Sequence, residues 1–205
     1  MRKVEYVLHD FAELSEAAKK VAIDEVRDRI GEIRSESDSC DYRGTLQKIE
    51  RAFDIEVYDW EVSGYRPSHY RFRYLGDLDD ENPKMLPRYF ERIWTNAVKG
   101  KYIGWRESKG KPYYSKVLFN EESFSLVGMW TDDAVVKTMA ERYEFVRQGC
   151  TISDFIDTML CRFFEQWRED MEYAYSDESI EIELSEGSYE YEFLENGKLW
   201  ERTTS

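Results

Sequence analysis

The chain has 205 residues, 41% of them hydrophobic and 16% aromatic, with a formal charge of -14. That is enough apolar side chain for a real core, and it excludes a disordered tail. The acidic balance disfavours a nucleic-acid binder held by its net field, and three scattered cysteines exclude a disulfide framework.

Charge is uneven along the sequence. From Ser153 onward fifteen carboxylates face Arg162, Arg168, Lys198 and Arg202, and Glu169 to Glu195 contains eleven carboxylates with no Lys or Arg. At physiological salt such a field acts over about 8 Å, repelling phosphates and attracting a basic protein surface. The same run also suits a solvated helix face that keeps the protein soluble.

Val4 to Leu14 reads as a strand and its exit. Ser15 then caps a helix with Ala18, Val21, Ala22, Val26, Ile30 and Ile33 at helical spacing. The polar run Ser35 to Ser39 predicts an interruption, followed by a second, shorter helix carrying Leu46, Ile49, Ala52 and Phe53. Two β-rich runs, Ile55 to Val62 and Tyr70 to Tyr74, are separated by Gly64 and Pro67 and predict a hairpin.

Asp77 to Pro83 is an acidic loop, and residues 76 to 86 form the one weak candidate seam in an otherwise single domain, 1–205. A helix from Pro87 carries Tyr89, Phe90, Ile93, Trp94, Ala97 and Val98 and stops at Gly100. A basic, aromatic segment follows, in which Lys99, Lys101, Trp105, Arg106, Lys109 and Lys111 are the candidate nucleic-acid contacts. The same alternation describes a solvent-facing hairpin with a packed aromatic side.

Thr131, followed by Asp132 and Asp133, caps a helix with Val135, Val136, Met139, Tyr143 and Val146 inward, ended by Gly149. The strongest helical stripe begins at Ser153 and runs through Phe155, Ile156, Met159, Leu160, Phe163, Phe164, Trp167 and Met171. Ser176 opens a short acidic helix with Ile180 and Leu184 inward. Past Gly187, Tyr189, Tyr191 and Phe193 alternate up to Asn196-Gly197, a hairpin signal, with Leu199-Trp200 on the return. The expected fold class is α+β: antiparallel hairpins packed against several amphipathic helices.

Catalytic chemistry has few footholds. The only histidines are His9 and His69, neither paired at ligand spacing. Cys150 follows a glycine at a helix start, where a thiol pKa can fall, but it and Cys161 read as small packed hydrophobes. Asp77 to Glu81 imitates a calcium loop, yet the sharp-turn glycine is Asn82 and the closing carboxylate position is Arg88. No catalytic residues, metal site or cofactor are expected. The absence of a long apolar run or signal-like opening points to a cytoplasmic protein with no membrane contact.

Leu126 to Ala134, Ser176 to Ile180, Tyr191 to Lys198 and Glu13 to Lys19 resemble segments of a family of phage and prophage proteins that often carry the label "antitoxin of toxin-antitoxin stability system". The resemblance implies a phage-type setting in a bacterial host and an accessory role against a defence enzyme or a toxin. It brings no catalytic residues.

The leading expectation is therefore an acidic protein-binding module that inhibits a basic, nucleic-acid-handling host defence factor, anti-CRISPR or antirestriction-like, by occupying its binding surface. Glu172, Asp177, Glu178, Glu181 and Glu183 would pair with the partner's cations, and Tyr173, Tyr175 and Tyr189 would anchor it. The alternatives are an antitoxin neutralising a partner toxin, and a nucleic-acid binder using residues 99–116.

Overall fold

Residues 6–63, 66–76, 105–108, 111–114, 134, 135, 138, 141, 148–187 and 189–200 are described by a computed structural model, with backbone only at 66, 105–108 and 111–114. The fold class is α+β. By contacts the chain divides into two units, Met1–Asp38 with Glu169–Ser205, and Ser39–Arg168. The divisions fall inside helices, after Asp38 and after Arg168; the candidate seam at 76–86, apart from Gly76, lies outside the described residues.

In the first unit the expected N-terminal strand is absent from residue 6 onward. His9 makes one isolated bridge to Phe193, and a 3-10 turn, Phe11–Glu13, follows at once. The turn lets both Phe11 and Leu14 enter the same core, whereas positions three apart in an extended run would face opposite ways. The first helix, α1 (Glu16–Phe53), starts where expected, with the Ser15 hydroxyl accepting from the Ala18 N–H at 3.3 Å.

The polar run does not break α1, which is continuous over 38 residues. A serine in a helix interior costs less than about 0.7 kcal/mol relative to alanine, and tertiary contacts override that. Ser35 is itself buried, and helical contacts anchor the chain before and after the run, at Arg34 and at Tyr42. The buried stripe in the first unit is Ala18, Ala22, Ile23, Val26 and Ile30, whereas Val21 and Ile33, expected inside, are exposed.

This stripe packs with Phe11, Leu14, Ile180, Leu184 and Phe193 into one core, flanked by Tyr189, Tyr191 and Leu199. The Asn-Gly reversal is present: Phe193 bridges Leu199, and the Trp200 N–H donates to the Glu192 carbonyl at 2.8 Å. Gly197 has φ +84°, and a Cβ there would run into the Ala18 carbonyl oxygen, so the turn sits directly on the α1 backbone.

The second unit begins within α1 and turns at Asp54, whose φ of +57° ends the helix in the left-handed region. Strands β1 (Ile55–Ser63) and β2 (Arg66–Tyr74) then pair antiparallel as expected, with Ile55 opposite Tyr74 and Val57 opposite Phe72. The register shifts between Tyr58 and Glu61, beside Asp59 with φ +50°, which is a β-bulge. Strands β3 (Trp105–Ser108) and β4 (Lys111–Tyr114) form a second antiparallel hairpin, the one expected in the basic segment.

The strong stripe becomes α2 (Ile152–Ala174), which begins a residue earlier than its apolar pattern because Thr151 and Asp154 cap each other. Phe155, Ile156, Met159, Leu160, Phe163, Phe164 and Trp167 are buried, Met171 only partly. Within the second unit Tyr42 lies flat on Trp167 (5.1 Å, 6°), Trp60 covers Phe164 and Trp167, and Tyr70 stacks on Phe164 at 5.1 Å. The fully buried rings among them, Tyr42, Phe164 and Trp167, each stabilise by roughly 1.5–3 kcal/mol through burial alone.

The helix expected from Pro87 lies outside the described residues. Of the helix expected after Thr131, Ala134, Val135 and Thr138 are helical and buried, and its other inward positions lie outside them. No helix among the described residues is long and apolar enough to cross a membrane.

Candidate functional site

The acidic end belongs to the first unit. Its short helix, α3 (Asp177–Ser185), is capped by Ser176, whose hydroxyl accepts from the Ser179 N–H at 3.2 Å. Asp177 and Glu178 occupy the first turn, where carboxylates complement the helix dipole. Ser179, Ile180 and Leu184 face the core.

Asp177 and Glu183, both expected acidic contacts, are engaged inside the unit. The Arg27 guanidinium bonds the Asp177 carboxylate and that of Asp24, both at 2.6 Å, and donates to the Tyr175 carbonyl at 2.9 Å. These bonds, to Asp24 first and Asp177 next, raise the Arg27 pKa further. Arg34 donates to Ser179 Oγ at 2.8 Å and to Glu183 Oε1 at 2.9 Å, and both members of that ion pair are largely covered. Asp177 and Glu183 therefore fasten α3 to α1. Glu172, Glu178 and Glu181 are exposed.

The three tyrosines divide similarly. Tyr173 is exposed, with the Arg34 guanidinium 6.0 Å from its ring centre. Tyr175, expected as an exposed anchor, is half-buried instead, because its ring fills the space above Gly31 of α1. Tyr189 is also half-buried, stacked on Tyr191 at 5.6 Å; burial first, then the Glu183 charge, pushes its phenol pKa up.

Next to α3 lies a groove of about 790 Å³ that the sequence did not reveal as a site. Phe11 and Phe193 are its buried floor, Tyr189, Tyr191 and Trp200 are half-buried walls, and Asp10, Glu190 and Glu192 are exposed lining carboxylates. The only sequence signal was the Tyr189-to-Phe193 alternation, whose intervening positions are Glu190 and Glu192. It read as a strand with a solvent face.

Of the candidate nucleic-acid contacts, Trp105, Arg106 and Lys111 are placed on the β3–β4 hairpin backbone, while Lys99, Lys101 and Lys109 lie outside the described residues.

The residues weighed for chemistry do not assemble. His9 is 3.6 Å from Glu13, and exposed His69 lies 3.9 Å from Glu61 and 4.0 Å from Asp59. Cys161 is exposed rather than packed as expected, because it falls off the buried stripe of α2. The part of it against the protein is desolvated, which with Glu165 and Asp157 pushes its thiol up, away from nucleophilic use. Among the described residues, no group of three or more His, Cys, Asp or Glu could hold a metal ion. No protein-family model, curated protein or solved structure matches this chain.

Proposed function

We propose that this protein is a protein-binding module, not an enzyme, whose acidic end engages a basic surface on a nucleic-acid-handling protein and blocks it by standing where phosphates would. One observation carries the reading. Glu172, Glu178 and Glu181 are exposed in a stretch with no cation of its own, while the neighbouring Asp177 and Glu183 keep α3 in place. Asp177 and Glu183 hold the scaffold, and exposed Glu178 and Glu181 on the same helix are turned to solvent. A held helix presents its charges without a large ordering cost on binding.

The resemblance to phage and prophage proteins supports a host defence factor as the partner class, in the bacterial cytoplasm. The test is an affinity pull-down from a bacterial lysate, with and without nuclease, using the full chain and its Glu178→Gln/Glu181→Gln variant. Retention of a basic, nucleic-acid-binding protein that survives nuclease and weakens in the variant supports the reading. Recovery of nucleic acid alone, lost on nuclease treatment, overturns it.

A further inference from the structure

The groove beside α3 carries an inference that rests on the protein-binding reading and makes it more specific. We propose that this groove receives an arginine-bearing extended segment of the partner. Its volume, about 790 Å³, falls within the range of about 300–1,000 Å³ typical of ligand clefts and admits more than one side chain. Its walls, Tyr189, Tyr191 and Trp200, are half-buried rings, Tyr189 stacked on Tyr191 and Trp200 beside Tyr6, and Asp10, Glu190 and Glu192 line the groove with them.

Among the described residues, no Lys or Arg lines the groove. Its three carboxylates have no ion partner among the described residues, in contrast to Asp177 and Glu183 nearby. A cavity that sets aromatic rings beside carboxylates lacking an ion partner among the described residues is complementary to a cation that is flat, weakly hydrated and rich in donors. Guanidinium meets all three conditions: it stacks on rings and forks its N–H groups onto carboxylates, whereas ammonium is a strongly hydrated point charge. The unit already uses this chemistry, since Arg29 of α1 stands 6.0 Å from the Tyr191 ring centre and Arg34 equally far from that of Tyr173.

An extended segment fits better than a lone cation because the carboxylates alternate with the walls along the chain. Glu190 and Glu192 flank Tyr191, and Asp10 comes from the other side of the His9–Phe193 bridge. A peptide with arginine at alternate positions would match that spacing.

The experiment titrates the full chain with a blocked Ala-Arg-Ala-Arg-Ala peptide, with its lysine and citrulline counterparts and with spermine. The readout is the Trp200 indole N–H resonance, assigned by a Trp200→Phe variant. The expected result is saturable movement of Trp200 with the arginine peptide, weaker binding of the lysine peptide and none of the citrulline one. Glu190→Gln/Glu192→Gln should weaken binding about tenfold, while Glu178→Gln/Glu181→Gln changes it less than about twofold.

An unmoved Trp200, or equal loss in the two variants, overturns the groove as the binding site. Spermine binding as tightly as the peptide reduces the effect to a general field and overturns it too. Binding that emerges only when Arg2 and Lys3 are replaced by Gln would give the groove to the chain's own N-terminal segment, with the same consequence. A retained partner in the pull-down with a silent groove would leave the protein-binding reading standing; peptide binding in the groove without a retained partner would do the reverse.

Discussion

Replacing Gly31 by Ala sets two effects of opposite sign against each other. In the middle of a long helix, alanine is favoured over glycine by about 0.8–1.0 kcal/mol. But a Cβ at position 31 would meet the Tyr175 ring, with Cε1 at 2.6 Å and Cγ at 2.8 Å. The whole ring, not its tip, must move. Tyr175 is also held through its backbone, which accepts from Arg27 and donates to the Glu172 carbonyl at 3.2 Å. Overpacking of this kind costs about 1–3 kcal/mol, so steric displacement wins and Gly31→Ala destabilises by about 1 kcal/mol net. In a Tyr175→Ala background the obstacle is gone and the same change should stabilise by about 1 kcal/mol. Urea unfolding of the four proteins in this cycle, followed by far-UV circular dichroism, measures the coupling, expected near 2 kcal/mol. Equal effects of Gly31→Ala in the two backgrounds would refute the packing argument.

Other outcomes follow from the same contacts. Gly197→Ala combines a left-handed backbone with a Cβ driven into the Ala18 carbonyl and should cost about 2–4 kcal/mol. Gly187→Ala, with φ +68° but nothing within 4 Å of the new Cβ, should cost only about 1–2 kcal/mol, and equal thermal shifts for the two would contradict this. Glu183→Ala leaves the covered Arg34 without its carboxylate and should lose about 1–3 kcal/mol in chemical unfolding, whereas exposed Glu178→Ala should stay within about 0.5 kcal/mol.

Tyr70 gives a pH dependence. Burial first, and then its hydrogen bond to Asp157, raise its phenol pKa above the ordinary 10.0. Above that pH the unfolded chain gives up the proton while the folded one keeps it, so the stability contributed by protonated Tyr70 is complete below pH 10.0 and lost as pH rises beyond it. Tyr70→Phe should flatten the alkaline fall in stability between pH 9 and 11, seen in unfolding midpoints; an unchanged slope would discount this residue as its source.

Much of the fold was legible where one sequence pattern decided the structure. The α2 stripe, the Ser176 cap, the β1–β2 hairpin and the Asn-Gly reversal rest on periodicity or turn chemistry that neighbours reinforce. The failures arose where tertiary packing outvoted local preference. Ser35 to Ser39 read as a break, yet a small serine suits a buried helix position, and the contacts on either side are worth more than the propensity lost. Val21 and Ile33 have helical spacing but point outward, because the apolar run is wider than the face the first unit covers. Tyr175 read as an anchor because its counterpart, a glycine 144 positions earlier, leaves no mark on the local sequence.

The acidic end shows the same limit in its charges. Eleven carboxylates between Glu169 and Glu195 suggest one undivided field, but their count does not say which are outward. The cations that sort them, Arg27 and Arg34, lie about 150 residues away on α1, one helical step of seven apart, so that both reach α3. Beyond Asp177 and Glu183, two groups among the exposed carboxylates stand out: Glu172, Glu178 and Glu181, and the groove with Asp10, Glu190 and Glu192. A diffuse field attracts any basic surface, while carboxylates set among aromatic walls discriminate by shape and by the kind of cation. If both places act, the first should govern how fast a partner arrives and the second how long it stays, so salt should act chiefly on association for the former and groove substitutions chiefly on dissociation.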